Sequence, residues 1–142
     1  MDMNKTDQKD WIVILSACNG NSEQDDHLAN ISLGISLGYQ RQVTTSIFHG
    51  RAVPVNGCYK GKTEKAYLVV IHNTRERKIL QDLAFQVYGQ ESILERGNDG
   101  VFLHYRNGMV TCIGDDLIAV DESIAKQQDA YTERDGIYYI VR

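Results

Sequence analysis

The seven residues Ala66-Tyr67-Leu68-Val69-Val70-Ile71-His72 run without a break into Asn73-Thr74-Arg75-Glu76. The first run is apolar and rich in β-branched residues, which is the pattern of a strand. The second has the spacing of a capping box, in which Asn73 accepts from the helix start and Glu76 reaches back. Ile79, Leu80, Leu83, Ala84 and Val87 then line one helical face, and Gly89 supplies the residue that closes it. A strand that passes directly into a helix commits the chain to a mixed fold, with the helix laid back over a sheet.

The same grammar occurs earlier. Trp11 to Ala17 reads as a strand buried on both faces, and Cys18-Asn19-Gly20-Asn21 as a turn. Ser22 to Asp25 is a second capping box, with three acidic residues in the first turn where the helix dipole favours them. A helix is predicted from about Glu23 to Leu37. Leu28, Ile31 and Ile35 form its apolar stripe, Leu33 and Leu37 widen it, and Gly34 and Gly38 leave room for another backbone. Val43–Phe48 and Ala52–Val55 make a second β region broken at Gly50, and Pro54 suits the end of an edge strand.

Ser92-Ile93-Leu94 reads as a short strand. Asn107-Gly108 between Val101–Arg106 and Met109–Ile113 is a strong hairpin signal. Asp115 to Asp135 reads as a polar surface wrap, and Ile137–Val141 as a last strand. Residues 1–10 read as a polar tail and 11–142 as one domain.

The order is β-α-β-β-α-β followed by a hairpin and a terminal strand. It predicts an α+β fold: a ferredoxin-like split βαβ antiparallel sheet with two helices on one face. Such a sheet leaves its second face bare. A homo-oligomer, of two or three copies, would cover it.

Composition narrows the function classes. A net charge of −4 argues against a nucleic-acid surface. Cys18, Cys58 and Cys112 show no metal or redox spacing and read as free thiols in a reducing, cytoplasmic setting. No apolar run approaches the ~18 residues of a membrane span. Nucleotide-binding glycine motifs and HExxH are absent from the sequence, and its four histidines are scattered. No metal site is predicted.

What remains is acids and tyrosines near strand ends. Pro54 to Lys65 reads as a loop between two β runs, carrying Tyr59 and Glu64. Glu91 precedes the strand at Ser92. Two carboxylates at one sheet edge would suit a cationic ligand, with Tyr59 offering a ring face and a hydroxyl. The plainer readings are a solvated hairpin for the loop and an ordinary linker residue for Glu91.

Ser16-Ala17 ending the first strand, Gly57-Cys58-Tyr59, Glu64-Lys65, the helix running into Gln90-Glu91 and the Gly136 strand together resemble a known family. It is the small bacteriophage S-adenosylmethionine lyases, formerly called hydrolases. The resemblance implies a homotrimer with a PII-like sheet and active sites between subunits. It implies cleavage of S-adenosylmethionine to 5′-methylthioadenosine and homoserine lactone, with no cofactor. The substrate's own carboxylate attacks its γ-carbon, and positioning alone can supply roughly 7–11 kcal/mol. By the same resemblance Glu64 meets the cationic part of the substrate and Tyr59 orients the reacting tail. Glu91 and Gln90 add further contacts, and Ser16 meets the adenosine through its backbone. Anti-restriction and contact with host S-adenosylmethionine synthase are the implied biology. Two other classes stay open: a PII-like trimer that binds an adenine nucleotide without turnover, and an acidic decoy for a host restriction enzyme.

Overall fold

The computed structural model describes residues 11–20, 22–38 and 52–142. The expectations for residues 1–10, Val43–Phe48 and Gly50 lie outside the described residues. The elements are β1 (Trp11–Leu15), α1 (Glu23–Ser36), β2 (Ala52–Tyr59), β3 (Lys62–Ile71) and α2 (Thr74–Asp82), which continues as a π-helical turn over Leu83–Val87. Then come β4 (Ser92–Gly97), β5 (Gly100–Tyr105), β6 (Val110–Gly114), β7 (Leu117–Val120), α3 (Glu122–Ala125), β8 (Ala130–Arg134) and β9 (Ile137–Val141). The strands form one nine-stranded sheet in the order β6-β5-β4-β1-β3-β2-β8-β9-β7. Its pairings are antiparallel.

The two outermost strands in that order, β6 and β7, are consecutive in the chain, with only Asp115 and Asp116 between them. So short a link requires the sheet to curl until its ends meet. The link is hydrogen-bonded to the end of β9 and extends the β7–β9 pairing by a residue. The amides of Asp115 and Asp116 donate to the Arg142 carbonyl at 2.9 and 3.1 Å, and the Arg142 amide donates to Asp116 O at 3.0 Å. Arg96 of β4 adds an ion pair to the Asp116 carboxylate at 3.1 Å.

One sheet face carries the core. Val13, Leu15, Tyr67, Val69, Ile71 and Ile93 pack there against Leu33 of α1, its C-cap Leu37, and Leu80 and Ala84 of α2 and its π turn. The other face, carrying Ile14, Leu68 and Leu94, is half-buried. The expectation that β1 is buried on both faces is therefore corrected. α1 and α2 lie on one face, and the other is the inside of the curl. Among the described residues no helix is long and apolar enough to cross a membrane.

Both predicted helix starts are present. Ser22 accepts from the Asp25 amide at 3.0 Å, and Asn73 accepts from the Glu76 amide at 2.9 Å. The buried stripe of α1 differs from the expected one. Leu33, Gly34 and Leu37 are buried, whereas Leu28 and Ile35 are exposed. Gly34 lies against the Tyr67 hydroxyl, so a glycine faces the sheet where the ring needs space. Val87 is 64% exposed instead of lining the core. The π turn, closed by the Tyr88 amide on Leu83 O at 3.2 Å, shifts the helical phase and carries Val87 outward.

Pro54–Lys65 is a tight hairpin rather than a long loop. β2 runs to Tyr59 and β3 starts at Lys62. Lys60 and Gly61 take φ of 49° and 82°, the paired left-handed geometry of a two-residue turn that follows strand twist. Asp115–Asp135 is mostly ordered structure, holding β7, α3 and β8. The charged residues around the short apolar run of β7 and the polar residues of β8 mask strands that are half in solvent.

Candidate active site

The end of β1, the first half of β3 and the start of β4 meet at one end of the central strands, because Leu15 pairs with Tyr67 and Ile14 with Leu94. Side chains alternate along a strand, so the register fixes which residues share a face. Val55 pairs with Ala66, Gly57 with Glu64, and Tyr59 with Lys62. Gly57 also pairs with Thr132, and Tyr59 with Ala130. Glu64 and Tyr59 therefore belong to the inner, helix-free face, the face of Ile14, Leu94 and Leu103.

An open cleft of about 1350 Å³ occupies this region. Every residue singled out in the sequence lines it: Ser16, Tyr59, Glu64, Gln90 and Glu91. Its floor is apolar, with Ile14, Leu94, Leu103 and Val141. Its rim is charged. The start of α1 closes one side through Glu23, Asp26 and His27.

Ser16 is buried. Its hydroxyl accepts from the Cys18 amide at 3.0 Å and donates to the Lys65 carbonyl at 2.9 Å. It also lies near the Glu64 carboxyl. Glu64 is exposed as a residue, at the rim, while its carboxyl turns inward. Burial raises that carboxyl above its ordinary pKa, the Ser16 hydrogen bond opposes the shift, and the charge of Asp26 adds to it. Burial likewise raises the Cys18 thiol, against a Ser16 hydrogen bond and with the charges of Glu64 and Asp26 behind it. Cys18 is thus a neutral thiol, not an activated nucleophile.

Tyr59 is 58% exposed, with the Lys60 ammonium 5.3 Å from its ring centre. Glu91 reaches solvent and pairs with Arg106 at 2.8 Å. The Gln90 amide nitrogen turns to Cys18 O at 3.0 Å and Asn19 Oδ1 at 3.1 Å, so it supports the chain beside the cleft. Sequence reasoning missed Asp26 and Tyr131. Asp26 was visible as an acid in a first helical turn and was assigned only to the helix dipole. Tyr131 fell in the supposed surface wrap, although it pairs with Cys58 across β2 and β8.

An apolar floor under a charged rim, with Glu23, Asp26, Glu64 and Glu91 outnumbering Lys62 and Lys65, suits a ligand with a cationic centre and a flat, weakly polar body. A family model described as the S-Adenosylmethionine lyase family matches residues 13–142. No curated protein matches the chain.

Proposed function

This chain belongs to the S-adenosylmethionine lyase family and is an S-adenosylmethionine lyase, and we propose that it breaks its substrate over the apolar floor beneath Glu64 and Tyr59. The substrate carboxylate attacks its own γ-carbon, the bond from that carbon to sulfur breaks, and the electron pair stays on sulfur. 5′-Methylthioadenosine leaves as a neutral thioether, and homoserine lactone keeps the ammonium. No proton or water is consumed.

In this reaction the carboxylate and sulfonium charges disappear together. An apolar surface beside them favours the less charged transition state over the ground state. A carboxylate held against the sulfonium would oppose its loss. The ammonium keeps its charge throughout, so we assign it to Glu64, where anchoring does not raise the barrier. Tyr59 orients the reacting tail through its hydroxyl. Glu91 adds a second acidic contact, and the backbone at Ser16 meets the adenosine. The observation that carries this reading is the register placing Tyr59 and Glu64 on one face above Ile14, Leu94 and Leu103.

The wider reading takes residues 11–142 as one ferredoxin-like, PII-like catalytic domain. The run β4-β1-β3-β2 within the sheet, with α1 and α2 on one face, supports it. Three copies would assemble with active sites between them. The enzyme needs no cofactor and works in the cytoplasm of a phage host. There it removes the methyl donor of restriction-modification and contacts host S-adenosylmethionine synthase.

Glu64→Gln and Tyr59→Phe test the site. Glu64→Gln keeps the fold and loses about 100-fold or more of kcat/KM, the scale of losing a well-placed charged contact. Wild-type turnover in Glu64→Gln would overturn the assignment.

A further inference from the structure

The turn Cys18–Gly20, between β1 and α1, stands at the mouth of the cleft. It is held from two sides. Asp26 accepts the Asn19 amide on Oδ1 at 2.9 Å and the Gly20 amide on Oδ2 at 3.0 Å. Gln90 donates to Cys18 O and Asn19 Oδ1 from the opposite side. Gly20 has φ of +73°, a conformation that other residues adopt only with strain. The turn is joined in turn to the reacting region. Its Cys18 amide meets the Ser16 hydroxyl, and the Cys18 thiol lies 3.6 Å from the carbonyl of Lys65, the neighbour of Glu64. Both Asp26 oxygens are engaged by backbone amides, so this carboxylate acts on the chain before it acts on any ligand.

We propose that Asp26 is a positioning residue of the lyase reaction, clamping the Cys18–Gly20 turn against Gln90 so that Ser16 and Glu64 are held in place at the cleft mouth. The inference rests on the assignment of Glu64 to the substrate cation. Asp26 has a second effect. Its negative charge acts on Glu64, within a cleft also lined by Glu23, His27, Lys62, Lys65 and Glu91. A residue that only stiffened the turn would leave the titration of Glu64 alone.

Asp26→Asn and Gln90→Met, singly and together, test the clamp in the full chain. Amide exchange of Asn19 and Gly20, read by NMR without substrate, is expected to speed up in both single variants. kcat/KM is expected to fall roughly tenfold in each, as for a modest loss of alignment. The double variant is expected to lose little more than the worse single one, because both act on one turn. The acid limb of the pH–rate profile moves to lower pH in Asp26→Asn and stays in Gln90→Met. Faster exchange with unchanged kcat/KM, or fully additive losses, would overturn the proposal. So would an unmoved acid limb in Asp26→Asn. If Asp26→Asn does not fold, Gln90→Met decides, since it loosens the same turn from outside. Glu64→Gln separates the two claims. If it abolishes turnover while both clamp variants retain it, only the clamp fails; if it retains turnover, the Glu64 assignment fails.

Discussion

The Ser16 hydroxyl donates to the Lys65 carbonyl oxygen at 2.9 Å, across 49 positions of sequence. It fastens the end of β1 to the residue next to Glu64. The same hydroxyl accepts from the Cys18 amide and reaches the Glu64 carboxyl, so one small side chain ties turn, strand and acid together.

Ser16→Ala is therefore expected to act on chemistry as well as on stability. It leaves the Cys18 amide without this acceptor, at about 1 kcal/mol in a urea titration. It also removes the neighbouring hydroxyl that holds the Glu64 carboxyl down, so the acid limb of activity moves to higher pH. This shift is opposite in sign to that of Asp26→Asn, and pH–rate profiles of the two variants check it.

Glu64 also sets a pH dependence of its own. Its carboxyl is raised from the ordinary value of 4.5, so it is protonated over a wider range than in the unfolded chain. Cation binding needs the ionised form. KM is expected to rise about tenfold per pH unit once pH falls below the raised value, with kcat changing less. For the free protein the sign reverses. A raised carboxyl contributes stability that is fully present below the unfolded value and is lost as pH rises through the folded one. Melting of wild type against Glu64→Gln across this window reads the difference, and saturating substrate cancels it.

Glu95 anchors the opposite face. It is 2% exposed and accepts from Arg77 Nε at 2.9 Å, Arg77 Nη2 at 2.7 Å and Gln81 at 3.0 Å. Arg77 also lies 4.8 Å from the Trp11 ring. Glu95→Ala strands that guanidinium and is expected to cost about 3 kcal/mol, measured by urea unfolding. kcat of the folded fraction stays at the wild-type level, because this cluster faces the helices and not the cleft.

Gly34→Ala poses two effects of opposite sign. Alanine gains about 1 kcal/mol of helix propensity over glycine. Its methyl group, however, collides with the Tyr67 hydroxyl, and overpacking of this kind costs about 1–3 kcal/mol. The expected net is a lower melting temperature, partly restored by adding Tyr67→Phe.

The parts of the fold that sequence revealed are those set locally. The caps at Ser22 and Asn73 are decided within four residues, and Asn107-Gly108 marks its own hairpin. Tyr59 and Glu64 stood out because they flank a glycine-bearing turn, although Lys60-Gly61 was not recognised as one. The hidden parts depend on distant partners. The buried stripe of α1 follows Tyr67, not its largest apolar residues. Val87 turns outward because a π turn intervenes, which side-chain periodicity cannot reveal. β8 is largely polar and β7 is only four apolar residues, Leu117–Val120, set among charged ones, and both complete a sheet begun far earlier. Asp26 became legible only when Asn19, Gly20 and Gln90 stood beside it.

The most direct test of the central claim uses S-adenosylmethionine in ¹⁸O-labelled water, with products read by mass spectrometry from the earliest time points. Attack by the substrate's own carboxylate predicts 5′-methylthioadenosine with unlabelled homoserine lactone, label entering only as the lactone later opens. Homoserine labelled from the first time point, with no lactone before it, would contradict the account and make water the attacking group.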